Sequence, residues 1–274
     1  AFTNYFTIIT NAMMSISRIF VMVSKGVASA NRIEEVLQAR DEMEIITDDS
    51  SLNDKIVEFD HVSFSYLGLK DNVEDITFEL KKGQTLGIIG ATGSGKSTIL
   101  QLLMRFYDAD CGTIRIHGRD IRSYDPKALR KEYGIVMQND FIFQDSVREN
   151  IAFGRPIDDE LLDEATQIAQ ARPFIKSLTD EFDYKLNSKG TNLSGGQRQR
   201  IFLSRAFVNN PKILLLDDSS SALDYETDAR LRKAINTHFA DTAKVIVAQR
   251  VSSIMHADEI LVLNQGKIVE RMAS

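Results

Sequence analysis

The feature that most limits the fold of this chain is a glycine-rich stretch between a predicted strand and a predicted helix. Residues 90–97 read GATGSGKS, which fits the pattern G-x-x-x-x-G-K-[ST]; TLGII precedes them, and the helix KSTILQLLM begins within them, at residue 96. In such a loop the glycines let backbone N–H groups converge on phosphate oxygens, and the positive end of the helix adds to the attraction. Lys96 can reach the β- and γ-phosphates of a nucleotide, and Ser97 can bind Mg²⁺. The stretch predicts a phosphate-binding loop that comprises Gly90, Ala91, Thr92, Gly93, Ser94, Gly95, Lys96, Ser97 and Thr98.

Short apolar runs alternate with helical segments across residues 55–270. The sequences TLGIIG, YGIVMQ, ILLLD and KVIVAQ begin at positions 85, 133, 213 and 244, and they suit strands buried on both faces of a mostly parallel sheet. An alternating strand, IVEFDHVSFSY, comes before them. Between Phe141 and Arg205 the pattern is mainly helical, as in IDDELLDEATQIAQ. We therefore predict an α/β domain with a helical subdomain inserted at about 141–205.

The beginning of the chain is strongly apolar. Residues 1–17, AFTNYFTIITNAMMSIS, carry no charge, and IFVMV follows Arg18. Because the stretch lacks the charged start and the cleavage site of a signal peptide, we interpret residues 1–23 as the end of a truncated transmembrane helix. Residues 24–54 then form a connecting helix and an acidic linker, and the globular domain covers 55–270. Periodicity leaves a second interpretation open, an amphipathic helix packed on the domain.

The overall charge and the cysteine and histidine content argue against several classes of protein. With a formal net charge of −6, the chain has no basic field for nucleic acid, so we predict no nucleic-acid partner. Cys111 is the sole cysteine in the sequence, which rules out an internal disulfide and fits a reducing compartment. The histidines lie far apart and lack the close spacing of zinc ligands, so we predict no structural metal.

Two further stretches gain meaning beside the phosphate-binding loop. Residues 213–224 read ILLLDDSSSALD, an apolar strand that ends in two adjacent carboxylates. An isolated Asp-Asp pair is more often a strand end that meets solvent, but a nucleotide site needs a carboxylate for the Mg²⁺ shell at the end of a neighbouring strand. Asp217 is the candidate for that role, and Asp218 stands where a group acts on the attacking water. LSGGQ at 193–197 opens a predicted helix; alone it is most often a flexible turn, but its small residues can also offer backbone donors to an anion.

These motifs together resemble those of the ATP-binding cassette (ABC) family, in particular the nucleotide-binding domain of an exporter, over about residues 55–270. The matching stretches are GATGSGKS (Walker A), Gln138 in IVMQND (Q-loop), LSGGQ (signature), ILLLD (Walker B) and SALD at 221–224 (D-loop). The resemblance implies a P-loop NTPase (RecA-like) fold with a mostly parallel sheet core, an antiparallel N-terminal β subdomain and a helical subdomain insertion. It also implies that the apolar opening is the end of the last transmembrane helix.

In that family two such domains dimerise head to tail, and each ATP lies between the P-loop of one chain and the signature of the other. The resemblance therefore implies ATP and Mg²⁺ as cofactors and a location at the cytoplasmic face of the cell membrane. It implies two partners, the chain's own transmembrane domain and a second ABC half-transporter whose ATP would meet Ser194 and Gly196. Tyr66, at the end of the first strand, matches the aromatic residue that stacks on adenine. The implied ligands of Mg²⁺ are Ser97, Gln138 and Asp217, and the implied nucleotide contacts outside the loop are Tyr66, Gln138, Ser194, Gly195, Gly196 and Gln197.

Two positions depart from the family pattern at the implied catalytic residues. The residue after the Walker B aspartate is usually Glu and here is Asp218; the switch residue at the end of the next strand is usually His and here is Gln249. Asp is one C–C bond shorter than Glu, about 1.5 Å of reach, and a misplacement of about 1 Å can cost roughly a hundredfold in rate. Gln249 keeps an amide donor for the γ-phosphate but never carries charge. We therefore expect a site that binds Mg-ATP and hydrolyses it slowly.

An intact signature beside weakened catalytic positions predicts one subunit of a heterodimeric, multidrug-type exporter with a degenerate site. In that arrangement the LSGGQ of this chain completes the active site of its partner. Three alternatives stay open. One is a homodimeric exporter in which Asp218 suffices. Another is a soluble ABC-type ATPase, which the apolar opening disfavours, and the third is a regulatory module that senses nucleotide without moving anything.

Overall fold

The computed structural model describes residues 2–38, 43–51 and 53–273, and it divides into two units, residues 1–44 and 45–274. The first unit contains one helix, α1 (Phe2–Gln38), whose 37 residues carry no buried side chain. This helix is long and apolar enough to cross a membrane. It continues without interruption through residue 23, where the sequence analysis places the change from membrane segment to connecting segment. Residues 39–42 and 52 of the predicted linker lie outside the described residues.

The second unit contains the five predicted strands together with strands and helices that the sequence analysis did not predict. Its strands are β1 (Lys55–Phe64), β2 (Val73–Lys81), β3 (Thr85–Gly90), β4 (Cys111–Ile116), β5 (Arg119–Asp120), β6 (Tyr133–Val136), β7 (Ile213–Asp217), β8 (Ala243–Ala248), β9 (Glu259–Asn264) and β10 (Lys267–Ala273). Its helices are α2 (Lys96–Leu103), α3 (Pro126–Lys131), α4 (Val147–Ala152), α5 (Asp159–Ile168), α6 (Arg172–Lys176), α7 (Gly195–Phe207) and α8 (Tyr225–His238). Short 3₁₀ turns lie at 121–123, 181–183, 188–190 and 251–253.

The larger sheet has the strand order β10-β9-β3-β8-β7-β6, and all neighbours are parallel except the edge pair β9 and β10. Strand β7 explains why the predicted runs are continuously apolar. Ile213 and Leu215 belong to the core that contains α2, whereas Leu214 and Leu216 belong to the core under α4–α7. The parallel order brings the carboxyl ends of β3, β8, β7 and β6 to one edge of the sheet, which is where ligands bind in such folds.

The smaller sheet is antiparallel, in the order β2-β1-β4-β5. Its inward side chains pack tightly, as in the stacked rings of Phe59 and Phe78, whose centroids are 4.5 Å apart. The linker residue Asp48 docks on this sheet, because its Oδ2 accepts a hydrogen bond of 2.6 Å from the backbone N–H of Asp120. Hydrogen bonds from Ser50, together with this bond from Asp120, lower the pKa of Asp48 to about 2. The two sheets and the inserted helices confirm the predicted fold class.

Three of the predicted strand ends differ from the structure by one or two residues. Strand β1 ends at Phe64, so Tyr66 does not end it. The cause is a pair of side-chain acceptors: the Asp110 side chain accepts from the N–H of Ser65 (2.7 Å) and the Asn72 side chain accepts from the N–H of Tyr66 (3.1 Å), in place of strand partners. Strand β6 ends two residues before position 138, and β8 ends one residue before position 249. Both residues therefore lie in loops at the ligand edge of the sheet.

A buried arginine joins helix α7 to the loop that follows β6. Arg205 is 8% exposed, and its guanidinium forms a 2.8 Å ion pair with Asp140. It also donates to the carbonyl of Phe141 and to the carbonyl of Asn150, at 2.9 Å each. Its charged group lies 4.6 Å from the ring centroid of Phe153. This one side chain therefore holds the loop after β6 and helix α4 against α7.

Replacing Arg205 by Met should lower the free energy of unfolding by about 3–5 kcal/mol, because the half-buried Asp140 loses the partner that neutralises its charge. The matched control is Arg230→Met, which removes an exposed pair with Glu226 on α8 and should cost under about 1 kcal/mol. Urea denaturation of both variants provides the comparison. Equal destabilisation by the two substitutions would show that the ion pair of Arg205 contributes no more than a surface pair.

Candidate functional site

The glycine-rich loop connects the end of β3 directly to the start of α2. Gly93 and Gly95 have φ values of 78° and 102°, in the left-handed region that favours glycine. A Cβ atom on Gly95 would lie 2.6 Å from the carbonyl oxygen of Asn72, so a larger residue does not fit. Gly95 is also the N-cap of α2 and supplies no side-chain hydrogen bond. The first N–H groups of the helix therefore face the loop without a capping partner, as an anion site requires.

Lys96 places its charge at the mouth of this loop. Its Nζ donates to the carbonyl oxygens of Gly90 and Ala91, both at 2.8 Å. Burial lowers the pKa of Lys96, whereas the nearby charges of Asp217 and Asp218 raise it. Within the described part of the chain, the hydroxyl of Ser94 is buried without a hydrogen-bond partner. These groups fit a polyphosphate.

A hydroxyl and a carboxylate meet beside the loop. Ser97, on the first turn of α2, donates from Oγ to Oδ2 of Asp217, 3.2 Å away. Asp217 is the last residue of β7 and is 5% exposed. Burial is the main cause that raises its pKa, and the charge of Asp218 adds to it, while Ser97 and Lys96 act in the opposite direction. Burial disfavours the charged form of this carboxylate, and a bound cation would offset that cost. A carboxylate oxygen next to a hydroxyl oxygen is a ligand set that fits Mg²⁺.

The two implied catalytic positions lie on neighbouring strands. Asp217 pairs with Val247 in the register of β7 and β8, which places Asp218 and Gln249 at the same edge of the sheet. The main chain of Asp218 has a φ of 49°, and its N–H donates to the carbonyl of Val247 at 2.9 Å. Asp218 is half-buried and Gln249 is exposed. Gln138, two residues after β6, lies at the same edge, since Val136 pairs with Leu216 of β7.

Tyr66 lies beside helix α2, close to the end of the loop. Its hydroxyl donates to Oε1 of Gln101 and is 3.3 Å from Oγ1 of Thr98. The ring packs edge to face on Phe64 and Tyr107, with centroids 4.9 and 5.1 Å apart, and the residue stays 39% exposed. Sequence reasoning missed Gln101 and Tyr107. Both lie in or just after α2, and no motif marks them.

The signature residues form a second cluster, at the start of α7. Ser194 is the exposed N-cap, and it exchanges two hydrogen bonds with Gln197: from the N–H of Gln197 to Ser194 Oγ (3.2 Å) and from the N–H of Ser194 to Gln197 Oε1 (2.8 Å). Gly196 lies so close to the D-loop that a Cβ would be 3.1 Å from the carbonyl oxygen of Ala222. The structure thus packs the signature on the D-loop of the same chain. Both motifs are visible in the sequence, but the sequence analysis does not predict that they contact each other.

Comparisons with known proteins match this chain to ABC transporters. A family model described as ABC transporter matches residues 73–221. The chain is 40% identical over 275 residues to the uncharacterized ABC transporter ATP-binding protein YfiB of Bacillus subtilis, covering 99% of this chain and 47% of the relative. It is 41% identical to the putative multidrug export ATP-binding/permease protein YgaD of Bacillus subtilis, covering 78% of this chain and 37% of the relative.

Among solved structures, a bacterial Atm1-family ABC exporter with ATP bound superimposes with a TM-score of 0.84 at 32% identity. The match covers 92% of this chain and 44% of the exporter chain. The chain therefore spans less than half the length of the curated relatives and the solved exporter that it matches.

Proposed function

Because the chain belongs to the ABC transporter family, whose model matches residues 73–221, we propose that it binds and hydrolyses ATP to power export across a membrane. The observation that carries the proposal is the meeting of three groups at one edge of the sheet. These are the uncapped glycine loop before α2, the charge of Lys96, and the pair of Ser97 and Asp217 at 3.2 Å. Together they match the needs of a triphosphate and its Mg²⁺.

Each residue of this edge has a role in the proposal. The loop 90–98 cradles the phosphates, and Tyr66 packs against the adenine. Ser97, Asp217 and Gln138 would hold the Mg²⁺, which would neutralise phosphate charge. The half-buried Asp218 polarises the attacking water, and Gln249 offers its amide to the γ-phosphate.

We propose that hydrolysis at this site is slow. Three hydrogen bonds support the proposal, because they fix the main chain of Asp218. Its N–H donates to Val247, and its carbonyl accepts from Gln199 Nε2 at 3.0 Å and from the N–H of Ser221 at 3.3 Å. The carboxylate of Asp218 reaches about 1.5 Å less far than that of the usual Glu, because Asp has one methylene group fewer. The fixed backbone cannot shift to make up this distance. Gln249 also lacks the charge that a protonated histidine would bring.

The signature of this chain then serves a partner. Ser194 and Gly195 are exposed and the sequence LSGGQ is intact, so they fit the ATP of a second half-transporter, with the two domains facing head to tail. ATP binding would close this pair, and hydrolysis, mostly at the site built on the partner's loop, would reset it. The homodimeric arrangement with a working Asp218 is the second candidate, favoured by the half-buried, ionisable carboxyl that Asp218 retains.

The membrane end of the protein follows from helix α1. We propose that residues 1–23 belong to a membrane-spanning domain, that 24–54 connect it to the nucleotide-binding domain 55–270, and that this domain lies at the cytoplasmic face of the cell membrane. The apolar composition and length of α1 support this.

Binding of Mg-ATP to the chain without a partner tests the proposed site. A fluorescent ATP analogue should bind the wild type, and Lys96→Ala should weaken binding about 10- to 100-fold, because a charged hydrogen-bond donor to phosphate is worth roughly 1.5–3 kcal/mol. Lys82→Ala is the matched control, since this exposed lysine pairs with Asp241 on the surface. Unchanged binding by Lys96→Ala would contradict the proposed ATP site. Rapid ATP hydrolysis by the chain alone would contradict the proposal that this site is slow.

A further inference from the structure

One side chain links the signature helix to the residue that follows the Walker B aspartate. Gln199 lies on α7, five positions after Ser194. Its Nε2 donates to the carbonyl oxygen of Asp218 at 3.0 Å, and its Oε1 accepts from the N–H of Ala222 at 2.9 Å. A carbonyl only accepts and an N–H only donates, so the two partners fix the orientation of the amide. Gln199 therefore bridges both ends of the turn 218–222.

This turn needs such support because its first residue is strained. Asp218 has a φ of 49°, a conformation that residues other than glycine adopt rarely. On one side its N–H donates to Val247, next to β8, at 2.9 Å. On the other side its carbonyl meets Gln199. The main chain of Asp218 is thus held between the parallel sheet and the signature helix.

The start of the same helix touches the other end of the turn. A Cβ on Gly196 would lie 3.1 Å from the carbonyl oxygen of Ala222, and a Cβ on Gly195 would lie 3.6 Å from the Cβ of Ala222. Ala222 is therefore contacted by the glycines of the signature and bonded by Gln199. Because α7 contacts the turn at both points, we expect a displacement of Ser194 to shift the turn as well.

We infer that Gln199 is a positioning residue that locks the signature to the turn 218–222. Through this lock, one main-chain unit sets both the place of Asp218 in its own site and the place of Ser194 toward the partner's ATP. The inference rests on the proposed function, because that function assigns Ser194 to the partner's site. Gln199 itself need not touch ATP, and it acts through Asp218 and Ala222.

Two substitutions separate the two bonds of Gln199. Gln199→Met removes both, whereas Gln199→Glu keeps an oxygen for the N–H of Ala222 and turns a carboxylate toward the carbonyl of Asp218. Asn236→Asp, on the exposed face of α8, makes the same amide-to-carboxylate change away from the turn. The measurements are amide hydrogen exchange at Ala222 and Mg-ATP affinity in the full chain alone, then kcat and KM for ATP in the assembled transporter.

For Gln199→Met we expect the amide exchange rate at Ala222 to rise roughly 5- to 10-fold, because its N–H loses one hydrogen bond. For Gln199→Glu exchange should stay within about twofold, since the Ala222 bond remains. Both variants should lose about 10- to 100-fold in kcat, with KM and the affinity of the chain alone within about twofold. The control should match the wild type in every measurement.

An unchanged kcat in both variants would overturn the inference, and so would an unchanged exchange rate at Ala222 in Gln199→Met. A fall in kcat that is accompanied by a lower melting temperature and a weaker ATP affinity would also overturn it, because that pattern indicates general destabilisation. Failure of the proposed function looks different. It would show as a large loss of turnover in Asp218→Asn. The exchange rate at Ala222 is measured without ATP or partner, so its result does not depend on the proposed function.

Discussion

Replacing Ser194 by Arg is expected to lower ATP hydrolysis by the assembled transporter by about 100-fold or more, the largest loss that we expect from a single surface residue. Ser194 is the exposed N-cap of α7, and its hydroxyl accepts from the N–H of Gln197 at 3.2 Å. In the proposed dimer the partner's γ-phosphate lies against this helix start, so a long side chain would displace it by more than the roughly 1 Å that costs a hundredfold in rate. Steady-state ATP hydrolysis by the assembled transporter measures the effect.

The loss of the cap must be separated from the block of the site. Asp158 is also an exposed N-cap, and its side chain accepts from the N–H of Leu161 at 2.8 Å at the start of α5. Asp158→Arg should therefore cost about 1 kcal/mol of stability and leave hydrolysis nearly unchanged. Asp218→Asn should alter turnover by less than about twofold, since this site contributes little. A large loss in Asp218→Asn, or equal losses in the two arginine variants, would contradict the proposed division of labour.

The phosphate-binding loop was predictable because its chemistry is local. A strand, a turn that only glycine can make at Gly95, and a helix start follow one another within residues 85–103, so the sequence carries the whole arrangement. The ligand edge of the sheet was predictable for a related reason. Parallel strands bring their carboxyl ends together, and so Asp217 meets Ser97 although 120 positions separate them.

The contacts made by single polar side chains were not predictable. The end of β1 before Tyr66 depends on Asp110 and Asn72, which replace the strand partners of two N–H groups. Arg205 and Gln199 look like ordinary polar positions of an amphipathic helix. Their roles come from what the fold brings opposite to them, a half-buried carboxylate in one case and a strained turn in the other. Such pairings join residues 19 to 65 positions apart and leave no periodic signal.

Restoring the usual family residues should activate the site of this chain. We expect Asp218→Glu combined with Gln249→His to raise its hydrolysis about 10- to 100-fold. The main chain of Asp218 is bonded to Val247, Ser221 and Gln199, so an added methylene group extends the carboxylate toward the water by about 1.5 Å without moving the backbone. Imidazole also titrates near pH 6.5, so the gain should vary with pH between about 5 and 8, unlike the activity of Asp218→Glu alone.

The measurement needs a background in which only this site turns over. Ser194→Arg provides it, because it blocks the partner's site while this chain's loop can still meet the partner's signature. Adding the two substitutions to Ser194→Arg should then restore part of the lost hydrolysis, whereas adding Asp241→Glu, an exposed change of the same size, should not. In a homodimer, Ser194→Arg would disable both sites, and no substitution at Asp218 or Gln249 could restore activity. The same experiment therefore separates a slow site in a heterodimer from a working Asp218 in a homodimer.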